Sequence, residues 1–247
     1  FHLACLPEYA SRLRTRKERE GKPLALMCAD LDAARTLCHV SPEEEKALDS
    51  WRRPIVLLQK RNPAPDVLSH TPELGLMLPY TPLHDLLMEG FSALVMTSAN
   101  PSDCPVFIGN REAVEGLQGI ADGFLLHNRD IVTRCDDSLL RLFRGKEYPL
   151  RRSRGYVPQP VEVPGNVHGL LACGAEQKAG FALGKGQDAL LSQHIGDLKN
   201  METLEHYQTQ LQHFRTLFGV AVEGLACDLH PDYLSTQVVQ QLAKELD

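Results

Sequence analysis

The sequence predicts a mixed α/β (α+β) protein in two parts, and three observations carry that prediction. Short apolar runs alternate with capped helical segments up to about Phe143, the pattern of strands crossed by helices. A proline-rich stretch, "RRSRGYVPQPVEVPG" from Arg151 to Gly165, interrupts the pattern. Charge then changes: through Val157 there are 21 Lys and Arg against 21 Asp and Glu, and from Pro158 onward 5 against 11.

In the first part, strands are predicted at Leu24–Cys28, Pro54–Leu58, Leu74–Leu78, Ala93–Thr97, Gly123–Leu126 and Leu139–Phe143. A helix is expected from near Glu8 to about Arg19. Another begins at Ser41, with Pro42 in its first position and Glu44 completing a capping box. Thr81-Pro82 repeats the cap-plus-proline signal, and Asn110 is read as the cap of "REAVEGLQGI". Prolines at 158, 160 and 164 cannot donate to a ladder, which makes 158–166 the linker. The domains are therefore read as 1–157 and 167–247. The second has strands at His168–Cys173, Gly180–Leu183 and Asp188–Ser192, a helix over Met201–Leu217, a strand at Leu225–Asp228 and a helix from about Tyr233.

Composition excludes several classes. The net charge of −6 argues against a broad nucleic-acid surface. Seven scattered cysteines include no C-x-x-C pair, which fits reduced thiols in the cytoplasm rather than a disulfide framework. The ten histidines include no H-x-x-x-H pair, so no metal site is expected within this chain. No apolar run approaches the roughly 20 residues of a membrane helix. The opening "FHLACLPEYASR" reads as the middle of a fold, so a longer protein is expected.

Three polar clusters could carry chemistry. In "RTRKEREGKPLALM", Arg14, Arg16, Lys17, Arg19 and Lys22 crowd a helix end, as a solvated basic face or as a phosphate clamp. In "ALVMTSANPSDCP", an apolar strand runs into Thr97, Ser98 and Asn100 before Pro101 stops it. Carboxyl ends of strands are where open α/β sheets bind ligands, and an extended segment would put Ser98 and Asn100 on one side with Thr97 on the other. In "CDDSLLRLFRGKEYPLRRSRGY", Asp136, Asp137 and Ser138 precede a strand, and Arg151, Arg152 and Arg154 follow it. There is no Walker A motif, no G-x-G-x-x-G and no G-x-S-x-G elbow. Any ATP in this half would be held by side-chain charge and a strand end.

Taken together and in order, Lys17-x-Arg19, Ser98-x-Asn100, Ser138 and Arg154-Gly155 resemble the pattern of YrdC-like domains. Further stretches, "LMLPYTPLHDLL", "VMTSANPS", "RCDDSLLR", "RRSRGYVP", "GAEQK", "LSQHIGDLKN" and "DLHPDYLST", resemble the HypF family, carbamoyltransferases of [NiFe]-hydrogenase maturation. The likeness spans most of a YrdC-like domain and the start of an actin-like (ASKHA, TsaD-like) domain of ribonuclease-H-like fold. The order strand, strand, strand, helix, strand, helix in the second part agrees with that opening. The chain departs from the family where a lysine- and glycine-rich strand would precede Phe1 and where the stretch after Cys5 is shorter.

The resemblance implies that carbamate, made from carbamoyl phosphate, is joined to ATP as carbamoyl-adenylate. It implies that the carbamoyl group then passes to the C-terminal cysteine of HypE. Mg²⁺ would accompany ATP, while zinc and a further metal belong to family regions outside this chain. By the family pattern, Lys17, Arg19 and Arg154 serve the phosphates, with Lys22 and Arg151 beside them. Ser98, Asn100 and Ser138, with Thr97 adjacent, hold the nucleotide or carbamoyl group, and no residue is assigned as a nucleophile. Glu176, Lys178, Asp197 and Asn200 are the candidates in the second part, and this fragment is expected to be inactive alone. Two alternatives stand beside this reading. One is a threonylcarbamoyl-adenylate synthase or natural-product O-carbamoyltransferase. The other is a non-catalytic RNA-binding module, which the charge balance opposes.

Overall fold

The computed structural model describes residues 1–19, 21–61, 68–102 and 104–246. They divide into two compact units, Phe1–Ser102 with Val106–Gly155, and Tyr156–Asp247 with a short piece around Cys104.

The first unit is a seven-stranded sheet with helices. Strand β1 (His2–Cys5) leads through a 3-10 turn (Pro7–Tyr9) into α1 (Ala10–Arg16) and β2 (Ala25–Cys28). Helices α2 (Leu31–Leu37) and α3 (Pro42–Leu48) precede β3 (Ile55–Gln59) and β4 (Glu73–Met77). Then come α4 (Pro82–Met88), β5 (Ala93–Ser98), α5 (Asn110–Gly116), β6 (Leu139–Phe143) and β7 (Lys146–Arg151). The strand order is β1-β5-β2-β4-β3-β6-β7, with β2–β4 and β3–β6 parallel and the other pairs antiparallel. Leu26, Val56, Leu76 and Leu140 are fully or almost fully buried in this sheet. Removing their apolar surface from water is the main term that holds it together.

Several expected elements differ. α1 stops at Arg16, because Glu18 takes a positive φ of 51° and turns the chain. Gly109, not Asn110, caps α5, and the Asn110 side chain instead donates to the carbonyl of His127. Gly123–Leu126 forms no strand: Phe124, Leu125 and Leu126 are exposed and pair with nothing in a ladder. β1, α2 and β7 lie where no element is expected from the sequence. The capping box at Ser41 and Glu44 is formed, as is the Thr81 cap.

The second unit is a five-stranded sheet in the order β12-β9-β10-β11-β8. Its strands are β8 (Val161–Glu162), β9 (Leu170–Cys173), β10 (Phe181–Lys185), β11 (Asp188–Leu191) and β12 (Gly224–Ala226), with helices α6 (Met201–Phe218) and α7 (Leu234–Leu246). β8 lies inside the stretch read as linker and pairs with β11, so 158–166 is partly sheet. The buried face of α6 carries Tyr207, Leu211 and Phe214 onto Phe181 and Leu183. Gly219, at φ 61°, ends that helix in the left-handed turn that glycine adopts without strain.

Gly184 in β10 has no room for a side chain, since an added Cβ would lie 1.8 Å from the carbonyl oxygen of Val167. Gly184→Ala is expected to destabilise the second unit by about 2–3 kcal/mol. Differential scanning calorimetry would show that loss in the transition of the second unit.

Candidate functional site

The carboxyl end of β5 collects the first cluster. Lys17, just past the end of α1, is 3 % exposed. Its ammonium donates to the carbonyl of Ser98 and, at 2.9 Å, to Oδ1 of Asn100. Burial, reinforced by the charge of Arg19, lowers its pKa to about 7. The chain bends after Ser98 rather than staying extended, and the Ser98 hydroxyl donates to the same Asn100 Oδ1 at 2.7 Å. The two side chains thus meet through a bend, not by strand alternation. Ser102 closes the arrangement by donating to the Lys17 carbonyl at 2.7 Å.

Arg19 takes a different direction. It donates to the Thr97 hydroxyl at 3.2 Å and to the Pro23 carbonyl at 2.9 Å. Arg14 ties the intervening loop through the carbonyls of Arg19 and Lys22, and the Lys22 side chain is exposed beside it. The basic cluster is therefore an organised loop that directs one cation inward and leaves others at the surface.

The third cluster is built around Asp137. Its carboxylate accepts from Nε and Nη2 of Arg154 at 3.0 and 2.8 Å, and from Nε2 of His2 at 3.3 Å. Burial alone would raise the Asp137 pKa, but His2 and Arg154 hold it well below the usual carboxylate range. Arg154 also donates to the carbonyls of Arg52 and Arg53, and its guanidinium lies 3.4 Å from the centre of the Tyr80 ring. Arg151 donates to the Asp137 carbonyl at 2.9 Å. Ser138 is 1 % exposed; its hydroxyl donates to the Arg154 carbonyl and accepts from the Ser153 amide. Gly155 follows with φ 82°, and a Cβ there would meet Arg52 at 2.9 Å. Ser138, Arg154 and Gly155 thus work as one internal joint.

His2, Tyr80 and His84 join this cluster although no sequence motif marks them as site residues, whereas Asp137 lies in one of the three polar clusters. Tyr80 packs edge-on against His84, with centroids 4.4 Å apart. Burial and the neighbouring His2 lower the His84 pKa to about 4, so its imidazole stays neutral near pH 7. A cleft of about 800 Å³ runs along β1, with Phe1, His2, Tyr80, His84, Arg16 and Met96 among its walls. The fragment "CDDS" put Asp137 in view, but nothing local marks His2 or Tyr80.

In the second unit, Asp197 accepts from the Lys178 amide at 2.7 Å, which fastens the turn after β9. Glu176 accepts from the Leu234 amide at the start of α7, and Asn200 caps α6 through the Thr203 amide. These four residues hold turns and helix ends together. Among the described residues no helix is long and apolar enough to cross a membrane.

The comparisons with known proteins fit this geometry. The Sua5, YciO and YrdC family model, described as telomere recombination, matches residues 1–153. The HypF Kae1-like domain matches residues 165–247. The chain belongs to the HypF family. Carbamoyltransferase HypF2 of Cupriavidus necator is 40 % identical over 99 % of this chain and 34 % of its own length. Carbamoyltransferase HypF of Rhodobacter capsulatus is 42 % identical over 96 % of this chain and 33 % of its own. A crystal structure of full-length HypF, in the phosphate- and nucleotide-bound form, superposes with a TM-score of 0.93. It is 46 % identical, covering 97 % of this chain and 33 % of that one. This chain thus spans about a third of its HypF relatives. A structure of Pyrococcus abyssi Sua5, at 15 % identity and a TM-score of 0.56, shares the fold.

Two outcomes are expected from this geometry. Asp137→Ala leaves the half-buried Arg154 without its counter-charge and should cost about 2–3 kcal/mol in urea denaturation. Lys17 binds its proton more weakly folded, at about 7, than unfolded, at 10.5. The unfolded chain therefore holds more protons between those values, so this residue makes stability rise with pH across that window. Denaturation curves from pH 7 to 10 should show that contribution, and Lys17→Met should remove it.

Proposed function

We propose that the first unit binds ATP and forms carbamoyl-adenylate. The unit that follows would begin the domain passing the carbamoyl group to the C-terminal cysteine of HypE. The observation that carries this reading is the Lys17–Ser98–Asn100 cluster at the carboxyl end of β5, with Arg19 beside it. Family membership supports it, as does the nucleotide- and phosphate-bound form of the HypF relative.

Transfer of an adenylyl group to carbamate makes a bond from a carbamate oxygen to the α-phosphorus and expels pyrophosphate. The demand on the protein is position and positive charge along the triphosphate. Lys17, Arg19 and Lys22 supply that charge from one loop. Ser98 and Asn100 present a hydroxyl and an amide to the nucleotide or the carbamoyl group, with Thr97 steering Arg19. Arg154, Arg151 and Ser138 serve indirectly by fixing Asp137 and the turn at Arg52–Arg53. Mg²⁺ accompanying ATP would screen the triphosphate charge and would be held chiefly by phosphate oxygens and water. No group of three His, Cys, Asp or Glu among the described residues could hold a metal unaided, so no residue is assigned to it. Carbamoyl phosphate as carbamate source, the cytoplasm as compartment and inactivity of the fragment alone complete the reading.

Full-length protein should exchange labelled pyrophosphate into ATP only when carbamate is available, from carbamoyl phosphate or supplied directly. Lys17→Met with Arg19→Ala should lower that exchange by roughly a hundredfold, from two lost charge-assisted bonds. Exchange at the wild-type rate in the double variant overturns the site. ATP binding should also draw a proton onto Lys17 at pH 8, because phosphate charge opposes the shift to about 7. Calorimetry in buffers of different ionisation enthalpy should show that uptake, and Lys17→Met should abolish it.

A further inference from the structure

The residue left with an open position in this arrangement is His2. Its Nε2 is committed to the Asp137 carboxylate, which can only accept, so that nitrogen carries a proton. Tyr80 lies 3.5 Å from the same nitrogen. The other ring nitrogen, Nδ1, makes no hydrogen bond among the described residues, and the ring forms part of the wall of the cleft. A carboxylate that fixes one imidazole nitrogen orients the other.

Strand register joins this imidazole to the Lys17 cluster. β1 runs antiparallel to β5 with His2 directly opposite Ser98. Directly opposed residues project from the same face, with Cβ atoms about 4.5–5.5 Å apart. Leu3 opposite Thr97 belongs to the other face. One face thus carries His2 on Asp137 next to Ser98, and Ser98 in turn contacts Asn100, which accepts from Lys17. A second carboxylate, Asp136, lies next to Asp137 and acts on the charge of Lys17. Tyr80 is held protonated by burial, His84 is neutral near pH 7, and Arg154 is spent on Asp137 and the carbonyls of Arg52 and Arg53.

We propose that His2, oriented by Asp137, is a binding residue for the small carboxylate-type nucleophile, receiving a carbamate oxygen at Nδ1 beside Ser98. This rests on the adenylation reading and adds to it the place of the second substrate. The free carbamate oxygen bonds to the α-phosphorus while the bridging oxygen to the β-phosphate leaves with its electron pair in pyrophosphate. The work of His2 is to place the anion, and it takes no covalent part. Asp137 is then a positioning residue, acting through the imidazole.

The test uses full-length protein and carbamate supplied directly from an equilibrated ammonium bicarbonate solution, with pyrophosphate–ATP exchange as readout. His2→Gln can keep a donor to Asp137 but has no second ring nitrogen facing the cleft. It should raise the carbamate concentration for half-maximal exchange by about tenfold or more, the worth of one charge-assisted bond. The KM for ATP should change less than about twofold, a split that general misfolding would not give. Calorimetric titration with bicarbonate alone, as a stable isostere of carbamate, should show binding in the wild type that His2→Gln loses. Wild-type exchange with unaltered carbamate dependence in His2→Gln overturns this inference alone. A wild type that binds no ATP analogue overturns the adenylation reading and this one with it.

Discussion

The carboxylate of Asp137 is the constraint on which the first unit turns. A carboxylate this enclosed is tolerable only when its charge is matched and its lone pairs are filled. Here a guanidinium supplies two donors and an imidazole a third. The same guanidinium reaches the backbone at Arg52 and Arg53 and covers the Tyr80 ring. One side chain therefore couples the turn before β3, the segment before α4, the entry to β6 and the exit from β7. Ser138 and Gly155 belong to the same joint, one by bonding across it and the other by leaving space for Arg52.

That organisation changes how an arginine-rich sequence is understood. Three arginines within four residues suggest a grip on phosphate, yet Arg154 and Arg151 both point at Asp137. The cations of the 17–22 loop divide differently, with Lys17 buried, Arg19 half-exposed and Lys22 at the surface. Burial weakens Lys17 as a permanent cation and makes it responsive, because its charge depends on what lies nearby. The loop thus holds cations whose charge is fixed beside one whose charge depends on its surroundings.

What was legible in the sequence follows from what is local. Leu26, Leu76 and Val95 sit in runs apolar enough to mark buried strands, and Ser41 and Thr81 announce helices through capping chemistry. β7 was hidden because five of the six residues of "KEYPLR" are exposed, and β1 because four residues give too short a pattern. Phe124–Leu126 misled in the other direction, apolar like a strand but left at the surface. In the site, the pairing of Lys17 with Asn100 was legible as a family pattern, since both lie in motifs. His2 gains its meaning from standing opposite Ser98, and register between strands more than ninety residues apart leaves no mark in either segment.

The exposed face of β7 has a consequence for the company the protein keeps. This strand closes one margin of the seven-stranded sheet. It carries Lys146, Glu147 and Arg151, and Pro149 within it has no amide hydrogen to donate. Charges and a proline at a sheet margin make it a poor template for another chain. In a crowded cell full of nascent polypeptides, that border resists being extended into an aggregate.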